Sequence, residues 1–271
     1  MALYQTFYGL KEPPFNVTSD PSFLYLSHRH QEAYSHLAYG IQERKGFLLL
    51  TGEIGAGKTT LCRAFLNRLD GKFKTAFILN PNLSQVQLLR AVVEDLGIPC
   101  KKKTRADLMN ALNAFLIAQA HEGNNVVLII DEAQNLSPEA LEQVRLLSNL
   151  ETEKEKLFQI VLVGQPELRQ KLEEESLKQL RQRIGVRYHI APLGQEDVGG
   201  YIEHRLAVAG SAGRILFPKR SLDLIYRYSK GVPRLINTLC DKALLAGYVY
   251  ETFEIRPEII KRCIQELENP Q

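Results

Sequence analysis

The sequence has only four cysteines among its 271 residues, and their placement excludes a disulfide framework. They are Cys62, Cys100, Cys240 and Cys263, scattered along the chain with no CxxC pair. Cys62 and Cys240 fall in apolar helical patterns, which is typical of buried, reduced thiols in a cytosolic protein. We therefore expect neither disulfide bonds nor a cysteine-ligated metal.

Histidine pairs and nucleophile motifs are also missing. His28, His30 and His36 lack the i, i+4 spacing of a helical metal-binding pair, and no cysteine lies near them in the sequence. No Ser/His/Asp arrangement and no reactive-thiol motif stands out. These absences argue against zinc chemistry and against hydrolysis through a serine or cysteine nucleophile.

Long apolar runs, a signal-peptide pattern, internal repeats and low-complexity tracts are absent as well. No apolar run approaches the roughly 20 residues of a membrane-spanning helix. The net charge of +3 and the pI of about 8.6 are mildly basic, which is a weak argument for a nucleic-acid partner. Length and composition fit one large or two smaller globular domains.

One segment carries most of the information about function. Residues 52–59 read Gly-Glu-Ile-Gly-Ala-Gly-Lys-Thr, which fits the phosphate-binding loop pattern of a glycine, four free positions and Gly-Lys-Ser/Thr. The segment lies between the apolar run 47–50 and the apolar helical pattern 61–66, as such a loop between strand and helix requires. The residues predicted to bind nucleotide are Gly52, Gly55, Ala56, Gly57, Lys58, Thr59 and Thr60.

The residue types in this loop suit phosphate chemistry. Glycines permit positive φ and a close approach of the backbone to a phosphate, and the N–H groups of the loop and the following helix face the anion. Lys58 can reach the β- and γ-phosphates, which gives it a catalytic as well as a binding role, and Thr59 is predicted to ligate Mg²⁺. The alternative is an ordinary glycine-rich turn, which the flanking strand and helix make the weaker interpretation.

A second motif follows a buried strand. Residues 126–130, Val-Val-Leu-Ile-Ile, are typical of a strand covered on both faces, and Asp131 and Glu132 come directly after it. Acidic residues at the carboxyl end of a parallel strand open onto the ligand crevice of an open α/β sheet. We expect Asp131 to hold Mg²⁺, directly or through water, and Glu132 to orient and deprotonate the attacking water. The alternative is a solvated acidic pair that only ends the strand.

Strand and helix patterns alternate through the first part of the chain. Strands are predicted at 47–50, 75–79, 126–130, 158–163 and 186–190, and helices begin at Ser84, Thr104, Ser137 and Pro166, the last continuing to about Arg183. The alternation predicts a five-stranded parallel sheet flanked by helices, the P-loop NTPase fold class.

After Pro192 the pattern predicts helices alone, at 196–209, 218–230, 233–248 and 257–267. We therefore expect an α/β nucleotide-binding domain over residues 1–192. A small all-helical lid domain is expected over residues 193–271.

Three further positions are candidates for the site. Gln165 follows the fourth predicted strand; if that strand lies beside the strand before the phosphate loop, Gln165 can hydrogen-bond the attacking water or the γ-phosphate, and otherwise it is a polar turn residue. Arg183, with Arg181 in reserve, ends a helix, which suits the helix dipole but also suits an arginine finger that reaches a neighbour's γ-phosphate. Arg234 lies in the first turn of a lid helix, where the dipole disfavours a cation, so we expect it to contact nucleotide.

The densest basic run is Lys101-Lys102-Lys103-Thr104-Arg105, predicted to lie in a loop. A solvated charge run is the simpler interpretation. The functional alternative is a contact with a phosphate backbone or an acidic partner.

Taken together, these motifs resemble the AAA+ ATPases over nearly the whole chain. Lys58 and its loop, Asp131 with Glu132, Gln165, Arg183 and Arg234 match that family's Walker A, Walker B, sensor 1, arginine finger and sensor 2. The resemblance implies binding of ATP and ADP with Mg²⁺, Mg²⁺-dependent ATP hydrolysis, and a homo-oligomer that assembles on ATP binding.

Other segments resemble, more narrowly, the ATPases of the general secretion pathway protein A family. They are Tyr4, Phe7 to Leu10, Pro14-Phe15, Asp20-Pro21, Phe23 to Tyr25, His30 to Ala33, Gly46-Phe47, Asp131 to Leu136 and Gly164 to Leu168. In that family the N-terminal segment wraps over the adenine site, so the resemblance implies that residues near Phe15 to Leu26 contact the base. Its members usually continue into a membrane anchor and a peptidoglycan-binding domain, neither of which this sequence contains. We expect a cytoplasmic protein, or the cytoplasmic part of a longer inner-membrane protein.

Two functions follow from the resemblance. The first is a secretion- or pilus-associated ATPase that drives assembly of an envelope complex through a protein partner. The second is a nucleotide-gated DNA-binding module, because related ATPases of the same architecture serve transposition. A small-molecule P-loop kinase is a third interpretation, which Glu132 and the helical lid fit less well.

Overall fold

The central sheet has five strands, and every pairing in it is parallel. The strands are β1 (Phe47–Gly52), β2 (Phe73–Ile78), β3 (Asn125–Ile130), β4 (Phe158–Gly164) and β5 (Ile184–Ile190), in the spatial order β2-β3-β4-β1-β5. The computed structural model describes residues 3–79, 82–99, 104–151 and 156–269. The predicted five-stranded parallel sheet is confirmed.

Burial explains the composition of the strands. Every residue of β1, β3 and β4 is buried, so these inner strands are covered on both faces and are almost continuously apolar. The edge strands β2 and β5 contain exposed or half-buried positions. The strands that carry predicted site residues at their carboxyl ends are therefore the most buried part of the sheet.

Helices precede, separate and follow the strands. In chain order they are α1 (Leu3–Tyr8), α2 (His28–Gln42), α3 (Lys58–Leu66), α4 (Gln85–Asp95), α5 (Arg105–His121), α6 (Pro138–Leu147), α7 (Pro166–Leu172), α8 (Lys178–Arg183), α9 (Asp197–Val208), α10 (Lys219–Ser229), α11 (Pro233–Val249) and α12 (Pro257–Glu268). The predicted helix starts are confirmed at Ser84, Thr104 and Ser137, whose side chains accept hydrogen bonds from backbone N–H groups three residues later.

The helical segment predicted from Pro166 to about Arg183 begins and ends where predicted, but it is interrupted. The chain forms α7, a 3₁₀ turn at Glu175–Leu177 and then α8. Leu172 and Leu177 are both buried in the sheet core. Five residues of a straight α-helix would separate them by roughly 140° around the axis, so the break is what allows both side chains to reach the core.

The chain divides into two compact units. The sheet unit consists of Glu32–Gly52 and Leu61–Ile190, and the lid unit consists of Met1–Gln31, Glu53–Thr60 and Ala191–Gln271. The division predicted from the sequence, 1–192 and 193–271, stays a prediction, and the contacts group the N-terminal segment and the phosphate loop with the lid helices.

The lid unit has a core of its own, built around α9 and α11. Tyr8, Phe15 and Phe23 are buried in it. The Arg205 side chain donates from Nε to the Pro14 carbonyl at 2.5 Å and from Nη2 to the Asn16 carbonyl at 3.0 Å, and its guanidinium lies 4.6 Å from the centre of the Phe23 ring. These contacts fix the N-terminal segment onto α9.

The structure tests two further sequence predictions, one about the cysteines and one about the helices after Pro192. Cys62 and Cys240 are buried free thiols, as predicted, and Cys263 is a third; Cys100 lies outside the described residues. After Pro192 the described residues form helices and no strand, as predicted, apart from an isolated bridge between Leu216 and Glu254. None of the helices described is both long enough and apolar enough to span a lipid bilayer.

Candidate nucleotide-binding site

The phosphate loop starts where β1 ends and runs into the first turn of α3. Its shape depends on two glycines in the left-handed region, Gly55 at φ 78° and Gly57 at φ 91°. A Cβ on Gly55 would lie 2.5 Å from the Cβ of Arg234, and one on Gly57 would lie 3.3 Å from Nε2 of His30. Both the backbone conformation and the space around it therefore require glycine at Gly55 and favour it at Gly57.

The loop is held by contacts within itself. The Ala56 N–H donates to the Glu53 carbonyl at 3.1 Å, and the Lys58 Nζ donates to the same carbonyl at 2.9 Å. Lys58 is only 5% exposed, although it carries a charge, and Thr59 and Thr60 are half-buried in the first helical turn. A buried ammonium group beside the N-terminus of a helix makes this loop strongly attractive to a phosphate.

Arg234 lies against the phosphate loop within the lid unit. It is the second residue of α11, after Pro233, and its backbone N–H donates to the Gly55 carbonyl at 3.3 Å. Its side chain is exposed. The structure thus brings together two elements that are 179 residues apart in the sequence and that were both predicted to bind nucleotide; the contact of Arg234 with nucleotide stays a prediction.

The acidic pair forms a second cluster, in the sheet unit. Asp131 is 1% exposed at the end of β3, and its Oδ1 accepts the backbone N–H of Glu132 at 2.9 Å. Glu132 has φ 52° and ψ 37°, in the left-handed region that a non-glycine residue seldom adopts. Backbone strain of this kind is concentrated at functional sites.

Two amide side chains hold the Glu132 carboxylate. Its Oε2 accepts from Gln134 Nε2 at 2.5 Å and from Gln165 Nε2 at 3.1 Å. Gln134 Oε1 accepts the backbone N–H of Gln165 at 3.1 Å, which closes a hydrogen-bonded ring of three residues. Lys171 donates to the Gln134 and Leu136 carbonyls at 2.6 Å and 2.8 Å and fixes the turn that carries Gln134.

The position of Gln165 satisfies the condition set by the sequence. β4, which Gln165 follows, pairs directly with β1, the strand that leads into the phosphate loop. β3, which carries Asp131 and Glu132 at its end, pairs with β4 on the other side. The catalytic roles of Gln165 and Glu132 stay predictions.

The oxygen atoms of Thr59 and Asp131 suit the magnesium ion predicted for the site. Mg²⁺ takes hard oxygen ligands and is commonly bound through one or two carboxylates together with substrate phosphates and water. A threonine hydroxyl and a buried aspartate are donors of that class. Taken separately, each of the two residues offers the kind of oxygen donor that Mg²⁺ prefers.

The two arginines at the end of α8 have different surroundings. Arg183 Nη1 donates to the Ser148 Oγ at 2.7 Å, just beyond α6. Arg181 pairs with Glu173 and lines a cavity of about 200 Å³ together with Arg169 and Arg187. The structure thus places Arg183 against Ser148 of the same chain and Arg181 in the lining of a cavity, while the arginine-finger role of either residue stays a prediction.

Sequence reasoning missed two residues of these clusters. Gln134 was noted as part of a resemblance and His30 was considered as a metal ligand, and neither was assigned to the nucleotide site. The signal for Gln134 is its place three residues after Asp131; His30 gives no local signal, because its partner lies 26 residues away. The basic run Lys101 to Lys103 lies outside the described residues, and Arg105 donates to Gln143 Oε1 at 2.7 Å.

Comparison with known proteins gives a family match and a curated relative. Residues 41–172 match the family model described as an AAA domain. General secretion pathway protein A from Aeromonas hydrophila is 46% identical over 254 residues, which are 93% of this chain and 46% of that protein. The chain thus spans about half the length of this relative.

Solved structures match the fold at low sequence identity. The ORC2 protein of Aeropyrum pernix in its ADPNP–ADP complexes has a TM-score of 0.72 at 18% identity, over 94% of this chain and 72% of that one. Cdc6p from Pyrobaculum aerophilum has 0.68 at 18% identity, over 89% and 68%. The RuvB branch-migration motor of Thermotoga maritima has 0.57 at 18% identity, over 88% and 69%. These likenesses show a shared P-loop NTPase fold.

Proposed function

Because this chain is an AAA ATPase domain related to general secretion pathway protein A, we propose that it binds ATP on the loop from Gly52 to Thr60 and hydrolyses it with Mg²⁺. The observation that carries the proposal is the Glu132 carboxylate, held by two amides beside a buried aspartate at the carboxyl edge of the sheet. A carboxylate fixed in this way can take a proton from water once an electrophilic phosphorus is bound nearby.

Each residue has a separate task in this proposal. Lys58 and the loop N–H groups bind the β- and γ-phosphates, and Arg234 adds a second positive charge. Glu132 accepts the proton of the attacking water, while Gln165 orients that water or the γ-phosphate. Thr59 and Asp131 would hold Mg²⁺, directly or through water, and the ion would neutralise charge on the phosphates.

The adenine base is assigned to the N-terminal segment of the lid unit. Phe15 and Phe23 are already buried in the core, at 2% and 4% exposure. Leu24, Tyr25 and Leu26 are half-buried and keep surface that a base can cover. Within the stretch implied by the resemblance, these three residues are the best candidates.

Hydrolysis is proposed to require a second copy of the chain. A positive charge is needed where charge develops on the γ-phosphate, and Arg183 would supply it across a subunit boundary. Arg183 is half-buried and the acceptor of its hydrogen bond is the uncharged Ser148 hydroxyl, so a charged phosphate offered by a neighbour is the stronger partner for the guanidinium.

In the cell, we propose that the domain works on the cytoplasmic side of the envelope and drives assembly of a secretion or pilus complex. Support comes from the 46% identity to general secretion pathway protein A. Nucleotide-gated DNA binding is the alternative, and the run Lys101 to Lys103 is the sequence feature that favours it.

Three measurements test this assignment. Phosphate release from Mg-ATP without any acceptor molecule supports hydrolysis and excludes the kinase interpretation, and a Lys58→Ala variant should lose ATP binding. A duplex-binding titration in salt, with and without ATP, separates the cellular roles: strong ATP-dependent binding with a steep salt dependence would favour the DNA-binding role. A parent protein that releases no phosphate at high protein concentration would overturn the ATPase proposal.

A further inference from the structure

His30 is a buried histidine that touches the phosphate loop and has no assigned role. It lies in the first turn of α2 and is 3% exposed. Its Nδ1 lies 2.8 Å from the Ser27 Oγ, and its Nε2 lies 3.1 Å from the Ala56 carbonyl oxygen. All of these residues belong to the lid unit.

The two contacts determine where the ring carries its proton. A carbonyl oxygen only accepts hydrogen bonds, so Nε2 must carry the hydrogen and donate it to Ala56. Nδ1 of the neutral ring then accepts from the Ser27 hydroxyl. Burial lowers the pKa of His30, which favours this neutral form, while the hydrogen bond to Ala56 and the charge of Asp197 act in the opposite direction.

The contact between His30 and the Ala56 carbonyl fixes the orientation of the Ala56–Gly57 peptide. The C=O and the N–H of a trans peptide point in opposite directions. When His30 holds the Ala56 carbonyl, the N–H of Gly57 in the same peptide unit must point away from the histidine. The N–H of Ala56 is separately directed to the Glu53 carbonyl, so the peptides on both sides of Ala56 have fixed orientations.

Space around the loop agrees with this arrangement. Gly57 has φ 91°, and a Cβ at that position would come 3.3 Å from the His30 Nε2. A larger residue would press on the ring that holds the carbonyl. Glycine at position 57 therefore permits both the positive φ of the backbone and the close approach of the His30 ring.

We propose that His30 is a positioning residue of the nucleotide site, which orients the Ala56–Gly57 peptide so that the Gly57 N–H is presented to a phosphate oxygen of the nucleotide. This inference rests on the proposed nucleotide binding. Phosphate-binding loops act through N–H groups that converge on the anion, and a peptide already turned the right way needs no reorganisation on binding. In this proposal His30 does not touch the nucleotide and acts on it through the phosphate loop.

The test compares four variants in ADP binding by calorimetry and in the ³¹P NMR spectrum of bound ADP. His30→Leu removes the hydrogen bond, and His30→Gln can still donate an amide hydrogen from a position close to that of Nε2. His30→Asn is polar but too short to reach the Ala56 carbonyl. His36→Gln, at an exposed position of the same helix, is the control.

We expect His30→Leu and His30→Asn to weaken ADP binding about tenfold, the size of one well-placed hydrogen bond, and to shift the ³¹P signals of bound ADP. His30→Gln and His36→Gln should stay within about threefold of the parent. The comparison of Gln with Asn remains decisive if His30→Leu does not fold, since both are polar amides at one site.

A purely structural histidine would behave differently. The melting temperature of His30→Asn without nucleotide would then be lower than that of the parent, while the folded fraction would bind ADP with parent affinity and an unchanged ³¹P spectrum. That result would overturn the inference and leave the proposed function intact. A parent protein that binds no ADP would overturn both.

Discussion

The phosphate loop and the acidic edge of the sheet, which consists of Asp131 and Glu132 with the amides of Gln134 and Gln165, depend on different parts of the chain. The loop depends on backbone conformation: two glycines at positive φ, a helix N-terminus, and carbonyls held by Lys58 and His30. The acidic edge depends on side chains: a carboxylate fixed by the amides of Gln134 and Gln165. Steric changes should therefore damage the loop, whereas changes that keep shape and remove charge should damage the edge.

The largest expected effect is on Arg183, the side chain that we propose acts on the nucleotide site of a neighbouring copy of the chain. Arg183→Ala should lower ATP turnover about 10³-fold while ATP affinity changes little, because binding does not need the neighbour. Steady-state phosphate release and nucleotide titration measure the two quantities. Mixing Arg183→Ala with Lys58→Ala should restore part of the activity, since each variant supplies what the other lacks.

Arg181→Ala is the matched control for this experiment, because the residue lies two positions away on the same helix. If Arg181→Ala abolishes turnover and Arg183→Ala does not, the finger is Arg181. Specific activity of the parent should also rise with protein concentration. A flat profile in a demonstrably monomeric sample would refute the shared site.

Glu132→Gln tests the side-chain half of the comparison. The substitution keeps the shape and removes the base, so turnover should fall at least about a hundredfold while ATP stays bound. Phosphate release under saturating ATP and equilibrium binding check the two outcomes. Hydrolysis at the parent rate would show that Glu132 is not the base.

Gly55→Ala tests the backbone half. The added Cβ would lie 2.5 Å from the Arg234 Cβ, in addition to the strain of positive φ. We expect lower ATP affinity and a lower melting temperature. Gly97→Ala is the control, since Gly97 has φ 69° with open space around it, and should show only the strain of about 1 kcal/mol without loss of ATP affinity. Equal behaviour of the two variants would mean that the contact with Arg234 is unimportant.

The smallest expected effect concerns pH and the lid unit. Burial lowers the pKa of both His30 and His204, so the unfolded chain binds protons more readily than the folded one. Stability from these groups is therefore present above the ordinary histidine pKa and declines as the pH falls below it. The melting temperature should fall between pH 7.5 and 5.5, and His204→Gln should make that fall smaller; an unchanged slope would contradict the assignment.

The sequence predicted the parts of the molecule that depend on local pattern. Apolar runs located the strands. The helix starts were predictable at the N-cap residues Ser84, Thr104 and Ser137, because each capping hydrogen bond is made to a residue only three positions later. The break between Leu172 and Leu177 was not predictable from local propensity, since it depends on where the core lies.

Long-range contacts set the limit for the site as well. Asp131, Glu132 and Gln165 were found because strand ends carry such residues. His30 was missed because its loop partner Ala56 lies 26 residues away. The contact of Gln134 with Gln165 across 31 residues likewise depends on the fold, although its contact with Glu132 is local. A pattern reports which residues could do chemistry, and only the folded chain shows what holds them in place.

The left-handed backbone of Glu132 has a consequence for protein engineering. Glycine and asparagine tolerate that conformation better than glutamate does, so either residue should relieve local strain. A variant library selected for heat resistance alone would then tend to enrich Glu132→Gly or Glu132→Asn and discard the proposed base. Selection at this position has to monitor turnover, because resistance to heat and chemical competence favour different residues there.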